Sequence, residues 1–443
     1  MKHWSSVRAW LIGVVLVGVT LRLGLAFMLG INIPPPLPSQ TDRGSDALEY
    51  DTYAWNLVQG HGYRGMSPDV TDPDHLTAYR VPGTALLWGA LYRVFGHRYA
   101  AVRIANCILG AITILFVYGI GKRCFGGSVG PLSAATFAVW PTSLFYSATL
   151  GSEPLFTFLF LWYVLLALQV GAHPAIARAM FAGLLLGLAT LTRPNAMFMI
   201  LLAVFWAWWE FRGQGKNLRI GLAIPLVAVT TLIPWVARNY AVFHELVPLS
   251  TGGGDVLLGG NNRVVVTDPV YYGYWVFPTS SLPEYREQLK APNQELRRDH
   301  LETKLALRWL ADHPRWWWYL VQAKFRRSLT PILDSNSPRL YRVGMLVFWG
   351  PVLVLSALSF FPTLLRFFRS KHPGWILHLA IIDFELTAII FWGASRFRYP
   401  VEGLCIALAY VSMLRLWGKL RGTQQVKETA SSMPDGAIVT GTA

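Results

Sequence analysis

Apolar residues run in long blocks, broken by short polar segments, from one end of the chain to the other. Ten blocks stand out, at about 9–30, 101–121, 130–147, 155–170, 179–191, 196–209, 220–236, 343–365, 375–392 and 401–417. A helix needs about 20 such residues to cross a bilayer. The blocks lack period-two alternation, which argues against a membrane barrel. The pattern predicts an all-α fold, a polytopic membrane helical bundle of about ten spans. Two hydrophilic sections interrupt it, a first loop at 31–100 and a long loop at 238–342. Residues 1–421 therefore read as one transmembrane domain, and 422–443, polar and aperiodic, as a disordered tail.

Both loops carry helical patterns of their own. The stretch SDALEYDTYAWNLVQGHGY, 45–63, reads as a short helix between Gly44 and the break at Gly60-His61-Gly62. On that helix Asp46, Glu49 and Tyr50 share one face at i, i+3, i+4. Residues 84–95 are amphipathic but too short to cross, which places them at the membrane surface. In the long loop, 283–310 has helical spacing and Pro314 restarts a helix. There Trp316, Trp317, Trp318 and Tyr319 precede Lys324, Arg326 and Arg327, a combination suited to an interfacial segment near lipid head groups.

Composition fits a membrane protein: 53% hydrophobic and 14% charged, against about 25% charged in soluble domains. The net charge of +15 would suit nucleic acid, but here it reads as cytoplasmic anchoring with anionic lipid contact. No nucleic-acid partner is expected. Cys107, Cys124 and Cys405 lie in or at apolar blocks, with no metal-site spacing and no disulfide expected.

Charge also orients the chain. Alternate connections carry Lys2, Arg8, Lys122, Arg123, Arg178, Arg212, Lys216, Arg219, Arg366, Arg369, Lys371, Arg415, Lys419 and Arg421. The short loops on the other side carry Arg193, Arg396 and Arg398. The positive-inside rule then puts both termini in the cytoplasm of a plasma-membrane protein, with both long loops outside. Most polar groups with no structural reason to exist gather on that outer side. Asp383 and Glu385 are different, lying inside the ninth block. Either they face the bundle interior or that span is shorter than drawn.

Only 24 of 443 residues are acidic, yet Asp46, Glu49 and Asp51 fall within six positions. As chemistry, a carboxylate there can take a proton and outward arginines can hold an anion. As structure, Asp46 also suits a helix N-cap, Glu153 a helix N-terminus before Pro154, and the arginines snorkelling to head groups. Arg193, beside Pro194, could equally close a helix end. His75 is a lone histidine among acids.

Five stretches resemble the GT-C superfamily of integral membrane glycosyltransferases. They are Asp46-x-x-Glu49-Tyr50 with Asn56-Leu57-x-x-Gly60-His61-Gly62-Tyr63; Thr77-Ala78-x-Arg80-x-Pro82-Gly83; Ser152-Glu153-Pro154; Pro234-Trp235-x-x-Arg238-Asn239 with Gly260-Asn261-Asn262; and Arg396-x-Arg398-Tyr399-x-Val401. Within the superfamily the chain is similar to bacterial relatives of dolichyl-phosphate-mannose protein mannosyltransferases and of the lipid A aminoarabinose transferase. The resemblance implies transfer of a sugar from a polyprenyl-phosphate donor to a lipid, glycan or protein acceptor. It maps the catalytic acid onto Asp46 as general base, with Glu49 positioning it and Glu153 as the second outer acid. It implies Tyr50, Arg80, Arg238, Asn239, Asn261, Lys324, Arg396 and Arg398 as substrate-binding residues, the cations for phosphate. Some superfamily members hold a divalent metal with the second acid. The group resembled here often shows no clear metal need, so no metal or other cofactor is expected.

The competing reading is a transporter or flippase of a lipid-linked sugar. It would want polar groups near mid-membrane on broken helices; here they stand mostly at outer span ends and in outer loops. A scaffold role leaves the acidic first loop without a purpose. The charge asymmetry yields a direct expectation. A cysteine at position 280 labels from outside intact cells and one at position 423 does not, as accessibility labelling checks; outside labelling at 423 reverses the orientation.

Overall fold

A computed structural model describes residues 2–35, 46–65, 74–290, 294–330 and 339–420. The residues proposed for the tail, and Gly44, Ser45, Asp69 and Asp72, lie outside them. Among the described residues the regular secondary structure is helical, apart from one antiparallel bridge between Arg64 and Leu76.

The helices run α1 (Lys2–Met28), α2 (Asp46–Val58), α3 (Gly83–Phe95), α4 (Tyr99–Phe125), α5 (Val129–Ala138), α6 (Pro141–Ala148), α7 (Glu153–Ala172), α8 (Ile176–Thr192), α9 (Met197–Glu210), α10 (Gly215–Phe243) and α11 (Gly253–Gly260). Three short helices follow, α12 (Val264–Thr267), α13 (Pro278–Ser281) and α14 (Arg286–Lys290). Then come α15 (Glu295–Asp312), α16 (Trp317–Leu329), α17 (Arg339–Ser370), α18 (Ile376–Ile390) and α19 (Tyr399–Leu420).

Seven helical stretches are long and apolar enough to cross a membrane, those of α1, α4, α7, α10, α17, α18 and α19. The other three expected spans are shorter. The block at 130–147 is split into α5 and α6, because Pro141 removes a backbone donor and starts a new helix. Helix α8 has 17 residues and α9 has 14. The main core is built from the buried faces of α4, α5, α7, α8, α9, α10, α17, α18 and α19. Asp383 is fully buried within it, which decides the first alternative for that residue, while Glu385 accepts a hydrogen bond from Ser328 of α16 at 2.7 Å.

Helix α1 carries a buried cation, Arg22. It donates to Gly18 O (2.9 Å), Ala138 O (3.0 Å), Phe137 O (3.5 Å), Ser143 Oγ (2.6 Å) and Ser147 Oγ (3.3 Å). Its fork thus satisfies carbonyls freed where α5 stops, the accounting an apolar interior enforces. Gly110 makes room, since a Cβ there would run into Ser147 and stand 2.9 Å from Arg22 Nε.

The two hydrophilic sections pack together at one end of the bundle. Helix α3 buries Trp88 and Tyr92 against α2 and leaves Leu86, Val94 and Phe95 exposed, as its amphipathic pattern requires. In the long section, α11 packs on α15. Helix α16 exposes Trp317, Trp318, Tyr319 and Phe325, but Lys324 turns fully inward.

Arg22→Met removes these bonds and leaves Ala138 O, Ser143 Oγ and Ser147 Oγ without their guanidinium donor. Leaving a buried acceptor unsatisfied costs about 1–3 kcal/mol, so the variant's thermal midpoint falls in detergent. An unchanged midpoint would show that Arg22 does not hold the α5–α6 break.

Candidate active site

Asp46 opens α2, and both of its oxygens are taken by arginines from distant elements. Arg80 Nη2 donates to Oδ1 at 2.9 Å and Arg396 Nη2 to Oδ2 at 2.5 Å, the latter from 350 residues away in sequence. Arg80 also donates from Nε to Glu49 Oε2 at 2.6 Å. Beside them, Arg193 donates to Glu153 Oε1 (2.5 Å) and Ser152 Oγ (3.1 Å), and Arg396 Nε stands 3.7 Å from that same Glu153 oxygen. The cluster sits where α7 begins, α8 ends and α19 begins, so it lies at one end of the bundle.

These groups border a cleft. Asp46, Tyr50, Tyr79, Arg80, Arg193 and Arg396 form its polar side, and Asn195, Ser250, Gly252, Thr387, Phe391, Trp392 and Phe397 line the rest. The Asp46 side chain is 31% exposed, so solutes reach it. Glu49 stands behind Arg80, outside the lining. Burial alone would raise the Asp46 carboxyl, but Arg80 and Arg396 override it and hold the group well below the usual carboxylate range. Glu49 goes the other way: burial pushes it up, with Arg80 opposing. The two neighbouring acids are thereby shifted in opposite directions.

Of the four arginines expected at the phosphate, Arg80 and Arg396 line the cleft and two do not. Arg238 donates to Thr77 O (2.8 Å) and Tyr63 O (3.0 Å), fixing the backbone that carries Arg80. Arg398 is buried, donating to Glu402 (3.0 Å), Ser328 O and Thr330 O (both 2.9 Å), which anchors the turn Ser395–Arg398 that projects Arg396. Asn239 is buried and donates to Val247 O. Lys324 donates to Asn261 Oδ1, and both sit outside the lining. Arg193, read as a helix end, is in the cleft wall and closes α8 as well.

One contributor escaped the sequence reading altogether. Glu295, at the start of α15, accepts from His75 Nε2 (2.9 Å), Thr77 Oγ1 (2.8 Å), the Ala78 N–H (2.8 Å) and Thr251 Oγ1. It ties the segment leading to Arg80 to the segment leading to Gly252. His75 thus serves a structural tie rather than the cleft. No three His, Cys, Asp or Glu side chains among the described residues stand where they could share a metal ion.

Residues 79–237 match the family described as dolichyl-phosphate-mannose-protein mannosyltransferase. No curated protein matches the chain. The oligosaccharyltransferase AglB of Archaeoglobus fulgidus, solved with an inhibitory peptide and a dolichol-phosphate, superposes with a TM-score of 0.56 at 16% identity, over 95% of this chain and 52% of its own. The apo form of the same organism's oligosaccharyltransferase gives 0.55 at 16% identity, over 96% and 52%. The chain therefore spans about half the length of these structures. ArnT of Cupriavidus metallidurans, bound to undecaprenyl phosphate, matches over 94% of this chain and 81% of its own, with 13% identity and a TM-score of 0.42. By this family match and this shared architecture, the chain has the fold of the GT-C superfamily of membrane glycosyltransferases, as its motifs implied.

Proposed function

We propose that the chain is a glycosyltransferase that moves a sugar from a polyprenyl-phosphate carrier to an acceptor at the outer face of the cytoplasmic membrane, with Asp46 as general base. The observation that carries this is the convergence of Arg80 and Arg396 on the Asp46 carboxylate at an open cleft, with Arg193 in the same wall. An acceptor hydroxyl oxygen attacks the anomeric carbon, the bond from that carbon to the phosphate oxygen breaks, and its electron pair leaves with the phosphate. Asp46 takes the hydroxyl proton. The arginines hold the phosphate as its negative charge grows, and their planar forks can grip two oxygens each. Tyr79, Trp392 and Phe397 line the same cleft, and aromatic rings of this kind can pack against a sugar. The cluster's place at the bundle end favours this over transport. Incubating the purified protein with a set of labelled polyprenyl-phosphate sugars tests the reading, and consumption of none of them overturns it.

Asp46→Asn keeps the shape and removes the proton acceptor. Turnover falls by about 10²–10⁴-fold while donor affinity holds or improves. Near-normal turnover in this variant removes Asp46 from the role.

The arginines divide by what they touch. Lys variants of Arg80, Arg193 and Arg396 retain charge and lose the fork, so each folds and loses at least about tenfold in turnover. Arg238→Lys lowers the thermal midpoint more than the donor affinity, because its partners are carbonyls of the protein. Paired melting and donor-binding measurements separate the two groups. Full activity in all three cleft variants would place the phosphate elsewhere.

A further inference from the structure

Lys324 is fully buried, and among the described residues its amine meets three acceptors: Asn261 Oδ1 (2.6 Å), Ile389 O (3.1 Å) and Ile390 O (3.2 Å). An ammonium has three donors for these three acceptors. Two of them are the last carbonyls of α18, where the helix dipole favours a cation. Asn261 itself donates to Ile390 O (3.0 Å) and Leu257 O (2.8 Å). One nitrogen therefore joins the ends of α11 and α18 to α16. Close packing seals the junction: a Cβ on Gly393 would stand 3.0 Å from Lys324 Cα, and the Gly393 N–H donates to Gly273 O at 2.9 Å. The residues directly beyond α18 are the cleft wall, Phe391 and Trp392, and then the turn that carries Arg396.

We propose that Lys324 is a positioning residue for the cleft: by holding the last carbonyls of α18 together with Asn261, it sets where Trp392 and Arg396 stand opposite Asp46. What the cleft binds rests on the transferase reading above. Among the described residues none of the other charged groups on elements packed against α16 bonds the Lys324 amine. Glu385 bonds Ser328, Arg398 bonds Glu402, Arg396 bonds Asp46, Asp383 lies within the bundle core, and Arg263 beside α12 is exposed. Burial without a counter-charge pushes the Lys324 amine down to about 7. Below that pH the ammonium serves all three acceptors. Above it the amine keeps two donors and turns a lone pair on the third, so the grip loosens as pH rises.

The test measures undecaprenyl phosphate affinity of the full chain in lipid nanodiscs, between about pH 6 and about pH 9, for wild type, Lys324→Met and Lys324→Arg. Dividing each variant's Kd by that of wild type at the same pH cancels the ligand's own titration. Lys324→Met binds about tenfold more weakly at the acid end, and the difference closes toward the alkaline end. Lys324→Arg, charged throughout, matches wild type in acid and binds several-fold better in alkali. A Met-to-wild-type ratio that stays constant with pH overturns the inference, since lost packing alone would give that. If the Met variant does not fold, a constant Arg-to-wild-type ratio overturns it. A wild type that binds no polyprenyl phosphate at any pH sinks the transferase reading along with it, an outcome distinct from a wild type that binds with pH-independent ratios.

Discussion

Two arginines grip the carboxylate of Asp46, and the rest of this end of the molecule serves to bring them there. Arg80 arrives on a segment pinned by Arg238 and Glu295. Arg396 arrives on a turn pinned by Arg398. Half-buried ion pairs repay their desolvation only when geometry is good and every partner is engaged. Here three arginines, Arg80, Arg193 and Arg396, face three carboxylates, Asp46, Glu49 and Glu153, and each acid has at least one guanidinium. The network joins the first hydrophilic section to the starts of α7 and α19. A chain with separate loops thereby acquires a cleft with fixed walls.

How much of this the sequence discloses depends on the range of each interaction. Helices α2 and α3 are legible because their apolar spacing is local, and the structure places them at 46–58 and 83–95. The bundle is legible because burial in lipid demands long apolar runs. Counting its spans is harder, since a run such as 196–209 looks the same whether its helix crosses the bilayer or stops short; the break before Pro141 did carry a visible signal in the proline itself. The outward arginines are legible as a class from charge asymmetry. Which of them face the cleft is not, because Arg238 and Arg398 differ from Arg80 and Arg396 only in the carbonyls that folding brings near. Arg193 could have been promoted: it is one of few cations in the short connections of the sparsely charged side. Glu295 had no signal at all, being one acid in a hydrophilic stretch, with His75 among its partners 220 positions away.

The balanced charges of the cluster constrain the proposed reaction further. With three cations already matched by three anions, an arriving phosphate finds no idle guanidinium, and some carboxylate must release one. Glu49 lies behind Arg80, away from the cleft, and Glu153 keeps Arg193 at 2.5 Å and Arg396 only at 3.7 Å. Asp46 is the acid that faces the cleft and shares both Arg80 and Arg396, so it is the one a phosphate would compete with. The same cations that hold Asp46 well below the usual carboxylate range make it a poor base while they hold it. As they turn toward the phosphate, Asp46 loses its counter-charges and its basicity rises. Donor binding would thus create the base at the moment an acceptor needs one, and an empty cleft would hold a carboxylate too weak to activate water. Lysine could keep the charge balance but could not bridge carboxylate and phosphate with one planar group, which is why this arrangement calls for arginine at both positions.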